Sequence, residues 1–138
     1  MTDKQGQKGL NGSPRVLVVE DHVDTLALLG KLLARISIDA IPTQDCATAR
    51  SAAEQWGRFD LVIADYSLPD GNGAELLAEL KEQSGCRTIV VSGHPRPAGP
   101  LPAGVDDWVP KPVDLAALTR IVQSTMKHKA ATVDCKRG

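Results

Sequence analysis

The sequence predicts an α/β protein, a parallel sheet with helices on both of its faces. Short apolar runs rich in β-branched residues recur along the chain, and stretches with helical periodicity separate them. The 138 residues are enough for one domain with a packed core. Aromatic residues make up only 3%, so the core must consist of Leu, Val, Ile and Ala, which suits helices packed on a sheet.

The chain divides into a body and two tails. Residues 1–14 are rich in Gly, Gln and Lys and end at Pro14, which predicts a disordered N-terminal tail. The body is assigned to residues 15–127. Residues 128–138 are basic and predict a flexible C-terminal tail.

The first half of the body predicts two strands and two helices. Residues 16–20, VLVVE, form a continuous apolar run typical of a strand that is buried on both faces. Asp24 can cap a helix that ends near residue 36, because leucines recur there at helical spacing. Residues 39–43 predict a weaker strand, and the proline within it favours the edge of the sheet. Residues 46–56 are Ala-rich and helical.

The second half predicts three more strands and two more helices. The strands are residues 60–65, 88–92 and 107–111. A helix covers residues 73–83, and Asp114 caps a last helix that ends near residue 127. The side chains of this last helix expected to face inward are Leu115, Leu118, Ile121, Val122 and Thr125. Five strands that alternate with helices predict right-handed crossovers and a doubly wound parallel sheet.

A proline-rich segment separates the last two strands. It contains Pro95, Pro97, Pro100 and Pro102. Each proline removes a backbone donor and clashes with the preceding helical turn. We therefore predict that residues 95–103 form an extended loop or at most one helical turn.

Polar side chains are expected together at one rim of this sheet. Ligands of open parallel sheets bind beyond the carboxyl ends of the strands. The side chains at those ends are Glu20, Asp21, Asp65, Ser92 and Lys111. Carboxylates placed together raise each other's pKa or recruit a cation, and oxygen ligands suit Mg²⁺. The alternative is that these are unrelated turn and cap residues.

These stretches resemble the receiver domain of response regulators in two-component phosphorelay signalling. The matching stretches are VLVVEDH, DLVIADYSLPDGNGAELL, TIVVSGH and DDWVPKPVDLAAL, and the likeness covers about residues 15–127. The chain is similar to single-domain chemotaxis-type receivers and to the receivers of hybrid histidine kinases. The resemblance implies a flavodoxin-like fold with strand order 2-1-3-4-5, in which the proline-rich segment stands for a degraded or missing fourth helix.

The resemblance also implies a role for each acidic residue. Asp65 would accept a phosphoryl group from the phosphohistidine of a histidine kinase. Asp21 would bind Mg²⁺ directly and Glu20 mainly through water. The backbone carbonyl of Ser67, two residues past the acceptor, would complete the protein ligands together with Asp65 itself.

Three further residues match positions that act once the phosphoryl group has arrived. By the same resemblance, Ser92 would hydrogen-bond the phosphoryl group and Lys111 would pair with its oxygens. Trp108 occupies the place of a Tyr or Phe that swings inward on activation, so Ser92 and Trp108 would form the switch.

The expected function is that of a stand-alone receiver that catalyses only its own phosphorylation and dephosphorylation. It would take its phosphoryl group from a histidine kinase and signal by protein–protein interaction, or by onward transfer to a histidine phosphotransfer protein. One alternative is a phosphorylation-independent interaction module. A more distant one is a hydrolase of the haloacid dehalogenase type, which requires a second Asp where this chain has Ser67.

Other partners and sites are not expected. Residues 16–126 carry a net charge of −6, which disfavours nucleic acid, and the basic tails contain no aromatic residue for base stacking. No apolar run approaches the roughly 18 residues of a membrane span, so we expect a cytoplasmic protein with no membrane partner. Cys46, Cys86 and Cys135 are too scattered for a disulfide framework or a zinc site.

Three polar residues near the strand ends are assigned lesser roles. His22 is interpreted as an exposed loop residue, because the acids already supply hard oxygen ligands. His94 is likewise interpreted as a loop residue. Asp70 is assigned to turn formation, not to phosphoryl acceptance.

Overall fold

Five parallel strands form a central sheet in the order β2-β1-β3-β6-β7. The strands are β1 (Arg15–Val19), β2 (Asp39–Thr43), β3 (Leu61–Asp65), β6 (Arg87–Ser92) and β7 (Asp107–Pro110). The structure is a computed structural model that describes residues 15–137, with side chains described through residue 126. The tail predicted for residues 1–14 lies outside the described residues.

The sheet confirms the predicted topology. Each strand begins and ends within one residue of its predicted bounds. Strand β2 lies at the edge, where the missing N–H of Pro42 faces no further strand. The register aligns Val19 with Ala64, and Asp65 with Val91, so β1, β3 and β6 end at the same rim.

Four helices are present in the described part of the chain, and none of them lies between β6 and β7. They are α1 (Val23–Arg35), α2 (Cys46–Trp56), α3 (Gly73–Ser84) and α4 (Leu115–Arg137). The predicted absence of a regular fourth helix is therefore confirmed. None of the four helices is both long enough and apolar enough to cross a membrane.

Helix α4 is longer than the sequence predicted. It runs through Arg137, ten residues beyond its predicted end near residue 127, and takes in most of the segment predicted to be a flexible tail. No Gly or Pro stands between Pro112 and Gly138, and Ala and Lys in the last turns favour helix. The helical spacing of apolar residues ends near residue 125, so a prediction based on that spacing made the helix too short.

The helix caps agree with the sequence at α4 but not at α1. Asp114 accepts a hydrogen bond from the N–H of Ala117 at 3.1 Å, as expected of a cap. The N-cap of α1 is His22, whose side chain makes no capping bond, and Asp24 lies inside the first turn. The prediction that Asp24 caps α1 is therefore wrong, although its charge still suits the positive end of the helix dipole.

The core lies in two layers, one on each face of the sheet. Helices α1 and α4 cover one face with Leu29, Leu33, Leu118 and Val122, all 1% exposed or less. Helices α2 and α3 cover the other. Leu115 was expected to face inward but is 37% exposed, because it lies in the first turn of α4.

A short hairpin follows β3 and was not predicted as strand. Its strands are β4 (Ser67–Leu68) and β5 (Gly71–Asn72), joined at the predicted turn. Asn72 then caps α3, and its side-chain oxygen accepts from the N–H of Ala74 at 2.7 Å. The hairpin thus carries the chain from β3 directly into α3.

The proline-rich segment is fixed to the body at its C-terminal end. Gly104 has φ +84°, and a Cβ there would lie 2.5 Å from the Cα of Ala78 in α3, so this close approach requires glycine. The hydroxyl of Thr88 donates to the carbonyl of Gly104 at 2.6 Å. Two residues later, the carboxylate of Asp106 accepts from Lys81 Nζ at 2.8 Å and from the N–H of Thr88 at 2.9 Å.

Candidate functional site

Asp65 is held at the end of β3 by the start of α3. Its side chain is buried, and the N–H of the next residue, Tyr66, continues the ladder to the carbonyl of Val91 at 3.0 Å. The N–H of Gly73 donates to the carbonyl of Tyr66 at 2.7 Å. A Cβ on Gly73 would lie 1.9 Å from the carbonyl oxygen of Asp65. Only a residue without a side chain allows α3 to begin so close to the end of β3.

Lys111 joins two acids that come from different strands. Its N–H donates to the carbonyl of Ser92 at 2.6 Å just after β7 ends, and its peptide bond to Pro112 is cis. Its Nζ lies 3.0 Å from Asp65 Oδ2 and 3.1 Å from Glu20 Oε1. One ammonium therefore neutralises part of the charge of two buried carboxylates.

The charge of Lys111 is secured by these same acids. Burial alone would lower its pKa, but the hydrogen bonds and charges of Asp65 and Glu20 outweigh burial and raise it. The ammonium therefore remains protonated throughout the neutral range. It offers a fixed positive charge beside Asp65.

The acidic pair after β1 leaves oxygens that lack hydrogen bonds. Glu20 is 1% exposed, and neither its Oε1 nor Asp21 Oδ1 has a hydrogen-bond partner among the described residues, although Oε1 forms the ion pair with Lys111. The second oxygen of Glu20 accepts from the backbone N–H of His22 at 3.1 Å. The ammonium of Lys111, 3.1 Å away, already compensates Glu20 Oε1. Asp21 Oδ1 has only His22 Nδ1 as a nearby donor among the described residues, at 3.5 Å, so it is the oxygen that a bound cation or water would stabilise most.

These acids fit a metal ion. Glu20, Asp21, His22 and Asp65 each offer one ligand atom, and the four atoms lie within 4.8 Å of one another. The carboxylates are hard oxygen donors of the kind that Mg²⁺ uses together with water. Ser67 lies nearby, since its N–H donates to Asp65 Oδ1 at 3.3 Å. The predicted use of its carbonyl as a ligand stays a prediction.

Ser92 ends β6 and contacts the loop that follows it. It is 1% exposed, and its Oγ accepts from the N–H of His94 at 2.9 Å. The carbonyl of His94 in turn accepts from Trp108 Nε1 at 3.2 Å. Trp108 is 7% exposed and packs at a tilt on Tyr66, with ring centroids 5.4 Å apart. The side chain assigned to the switch thus lies inward, and its role as a switch stays a prediction.

Two residues have contacts that the sequence did not reveal. Asp70, assigned to a turn, also accepts from the N–H groups of Cys46 and Ala47 at 2.8 and 3.0 Å, and so caps α2 from a separate loop. His22, interpreted as a loop residue, has its Nδ1 3.0 Å from Glu20 Oε2. The position of His22 directly after Glu20 and Asp21 was the sequence feature that could have predicted this contact.

Comparison with known proteins identifies relatives of this chain. The family model described as the response regulator receiver domain matches residues 16–123. The transcriptional regulatory protein PrrA of Mycobacterium tuberculosis is 34% identical over 126 residues, which cover 87% of this chain and 53% of PrrA. The response regulator protein PilR of Pseudomonas aeruginosa is 32% identical, with 82% of this chain and 26% of PilR covered. The chain therefore spans about half or less of these relatives.

Solved structures share the fold. A two-component response regulator from Clostridium difficile aligns with a TM-score of 0.77 at 21% identity, over 83% of this chain and 97% of that one. A CheY-like receiver domain from Methylobacillus flagellatus aligns with a TM-score of 0.72 at 28% identity, over 82% and 98%. Together with the family match over residues 16–123, these relationships show that the chain belongs to the response regulator receiver family.

Proposed function

We propose that the chain accepts a phosphoryl group on Asp65 from a phosphohistidine, in a reaction that requires Mg²⁺. The P–N bond of the donor breaks as a P–O bond to the Asp65 carboxylate forms, and the donor imidazole leaves and regains its proton from water. The observation that carries this proposal is the position of Lys111 Nζ, 3.0 Å from Asp65 Oδ2 and 3.1 Å from Glu20 Oε1. The donor would be a histidine kinase or a histidine phosphotransfer protein.

Charge is the main obstacle to this reaction. A phosphoryl group approaches a carboxylate that already lies near two other acids, so positioning and neutralisation matter more than covalent help from the protein. Lys111 supplies one positive charge. Glu20, Asp21, Asp65 and the Ser67 carbonyl would hold Mg²⁺, which, when bound, stabilises the charge shared by acceptor and phosphoryl oxygens.

Ser92 is suited to bind the phosphoryl group after transfer. Its hydroxyl oxygen already accepts the N–H of His94 at 2.9 Å, which leaves its own proton to donate to a phosphoryl oxygen. The register of β3 with β6 sets Asp65 opposite Val91, the residue before Ser92. The Ser92 hydroxyl therefore lies on the strand next to that of Asp65, which supports this role.

On this proposal the chain catalyses only its own phosphorylation and dephosphorylation. Its output would be a protein–protein interaction or onward phosphotransfer in the cytoplasm, with a downstream protein still to be identified. The expectation that neither nucleic acid nor membrane is a partner remains a prediction. The name of PrrA describes a transcriptional regulator, of which this chain spans 53%.

The acceptor can be tested with acetyl phosphate and Mg²⁺ by intact-protein mass spectrometry. Wild type should gain one phosphoryl group, and Asp65→Asn should gain none. Asp70→Asn is the matched control. Asp70 is an exposed acid five residues further along the chain, and its carboxylate caps α2, so this variant should gain one phosphoryl group as wild type does. A gain that persists in Asp65→Asn would disprove the acceptor. A folded wild type that gains nothing from any donor would favour a phosphorylation-independent module.

The metal can be tested separately by thermal unfolding. Mg²⁺ should raise the melting temperature, because at a hundredfold excess over Kd it adds about 2.7 kcal/mol to the free energy of unfolding. Asp21→Asn should melt higher than wild type without metal, because repulsion at the rim is reduced, and should lose the Mg²⁺ response. Asp39→Asn, at an exposed position on β2, is the control and should keep it. An unchanged response in Asp21→Asn would count against Asp21 as a ligand.

A further inference from the structure

We infer that the proline-rich segment, residues 95–103, is a docking segment for a protein whose groove is lined with aromatic side chains and binds extended, proline-containing chains. The motif that such a groove would hold is Pro97-Ala98-Gly99-Pro100, with Arg96 directly before it. Two prolines separated by two residues have the spacing that the grooves of SH3 domains bind. This docking would be independent of the phosphoryl transfer proposed above.

The sequence of the segment confines its backbone to extended conformations. Proline holds φ near −65° and pushes the residue before it toward extended or polyproline geometry. Four prolines and the four residues before them therefore confine eight of the nine residues from 94 to 102, all except Ala98. Residues 95–102, all of which the structure describes, lie in no helix or strand, and none of them has a positive φ.

The backbone of the segment is available to a partner. Within the described part of the chain, no N–H or carbonyl of residues 95–101 makes a hydrogen bond. Pro95, Arg96 and Pro100 are exposed. A polyproline-type chain has no internal hydrogen bonds, so a groove can bind its carbonyls with the donors of Trp and Tyr while the same rings pack on the prolines. Both features that such a groove uses are therefore accessible.

Both ends of the segment are fixed to the body. The carbonyl of His94 accepts from Trp108 Nε1 at 3.2 Å. Near the other end, Leu101 packs against the core layer that α2 and α3 cover, and Gly104 accepts from the Thr88 hydroxyl at 2.6 Å. The chain bends at residues 98–99, between the two prolines of the motif. A partner would have to straighten only this bend, so little conformational freedom is lost on binding.

The chemistry of the segment favours this partner over other kinds. Prolines remove the N–H groups that an added β-strand would need, and they prevent the segment from entering a groove as a helix. Arg96 takes part in none of the salt bridges among the described residues. Its charge indicates a partner with an acidic residue beside the aromatic groove.

The test is a titration of the intact, unphosphorylated chain, labelled with ¹⁵N, with a panel of purified SH3 domains that differ in the charge beside the groove. At least one acidic member should bind and shift the amide resonances of Arg96, Ala98, Gly99 and Leu101. Pro97→Ala and Pro100→Ala should each weaken this binding by at least about tenfold, as expected when a central contact of an interface is removed. Circular dichroism should show both variants folded.

A second variant should bind more tightly. Ala98→Pro places a proline at the bend and removes no hydrogen bond, because the N–H of Ala98 makes none within the described residues. It should tighten binding about two- to fivefold by restricting the free chain. If the prolines only shaped the loop, this variant would gain no affinity.

Pro42→Ala is the matched control, because Pro42 is an exposed proline in β2 and lies outside the segment. It should bind as wild type does. Binding by no member of the panel, or binding that Pro97→Ala and Pro100→Ala leave unchanged, would overturn the docking role. Either result would leave phosphorylation of Asp65 untouched, since that reaction is measured separately with acetyl phosphate.

Discussion

Replacing Gly73 with Ala should disable the proposed acceptor site at Asp65 while leaving the chain folded. A Cβ on this residue would lie 1.9 Å from the carbonyl oxygen of Asp65 and 2.8 Å from its carbonyl carbon. Both are backbone atoms, so no side chain can rotate away to make room. The end of β3 and the start of α3 must therefore move apart.

The size of the movement follows from the contact distance. Ordinary contact with a Cβ begins at 3.4 Å, so a gap about 1.5 Å wider is needed. The bond from the Gly73 N–H to the carbonyl of Tyr66, 2.7 Å long, would be stretched or lost. Overpacking costs about 1–3 kcal/mol and the lost bond about 1 kcal/mol. Together these correspond to a melting temperature lower by roughly 10 °C.

The functional loss should exceed the loss of stability. A misplacement of about 1 Å at a reacting group can cost about a hundredfold in rate. We therefore expect Gly73→Ala to gain its phosphoryl group from acetyl phosphate at least about a hundredfold more slowly, at saturating Mg²⁺. The assay is the time course of the mass gain, at a temperature where circular dichroism shows both proteins folded.

Gly30→Ala provides the comparison for this rate. Gly30 lies within α1, and a Cβ there meets no atom within 4 Å. Its rate should equal that of wild type. If Gly73→Ala were also phosphorylated at the wild-type rate, the close approach of α3 would not position Asp65, and the reasoning would be refuted.

Four further outcomes are expected. Gly30→Ala should raise stability by about 0.5–1 kcal/mol in denaturant unfolding, since Ala favours helix over Gly. Lys111→Met should lower the stability measured without metal by about 3 kcal/mol, because it leaves two buried carboxylates without their ammonium, and Mg²⁺ should restore part of the loss. Burial alone would raise the pKa of Asp106, but its hydrogen bonds and the nearby positive charges outweigh burial and lower it in the folded state. The stability that Asp106 contributes is therefore present above its unfolded pKa of about 4, and is lost as pH falls through the lower folded value. Asp106→Asn should therefore show a melting temperature that depends less on pH in this acid range. The backbone amides of residues 98–103 should exchange with solvent rapidly, and this exchange should slow after phosphorylation. The amide of Val105 donates to the carbonyl of Pro102 at 3.0 Å and should be protected in both states. Strong protection across residues 98–103 before phosphorylation would contradict this expectation.

Most of the fold could be predicted because its signals are local. Apart from Arg15 at the start of β1 and Asp65 at the end of β3, these two strands are runs of buried apolar residues, as expected in a sheet that is covered on both faces. The prolines of segment 95–103 disfavour a helix by themselves, because each lacks an N–H and its ring clashes with the preceding helical turn. The end of α4 was missed for the opposite reason: its last turns carry no apolar stripe, and only the absence of Gly or Pro before Gly138 marks their continuation.

The site could be predicted as a set of residues but not as a set of contacts. Parallel strands end at one rim, so Glu20, Asp21 and Asp65 had to lie near one another. The bridge from Lys111 to two of these acids depends on the conformation of the loop after β7. The direction of the His22 ring depends on the loop after β1, and no periodicity encodes it.

The backbone of His94 connects the site to the proline-rich segment. Its N–H bonds Ser92 Oγ and its carbonyl bonds Trp108 Nε1, so a shift of the Ser92 hydroxyl toward a phosphoryl group must move or break one of these bonds. Trp108 is already inward at 7% exposure, which leaves its ring little room to swing further in. Beyond His94, Pro95 has no N–H with which to form a helical bond that would resist the movement. We therefore expect phosphorylation to be read out as a rearrangement of the segment that begins at His94 and ends where Gly104 is fixed against α3, and not as rotation of the aromatic ring.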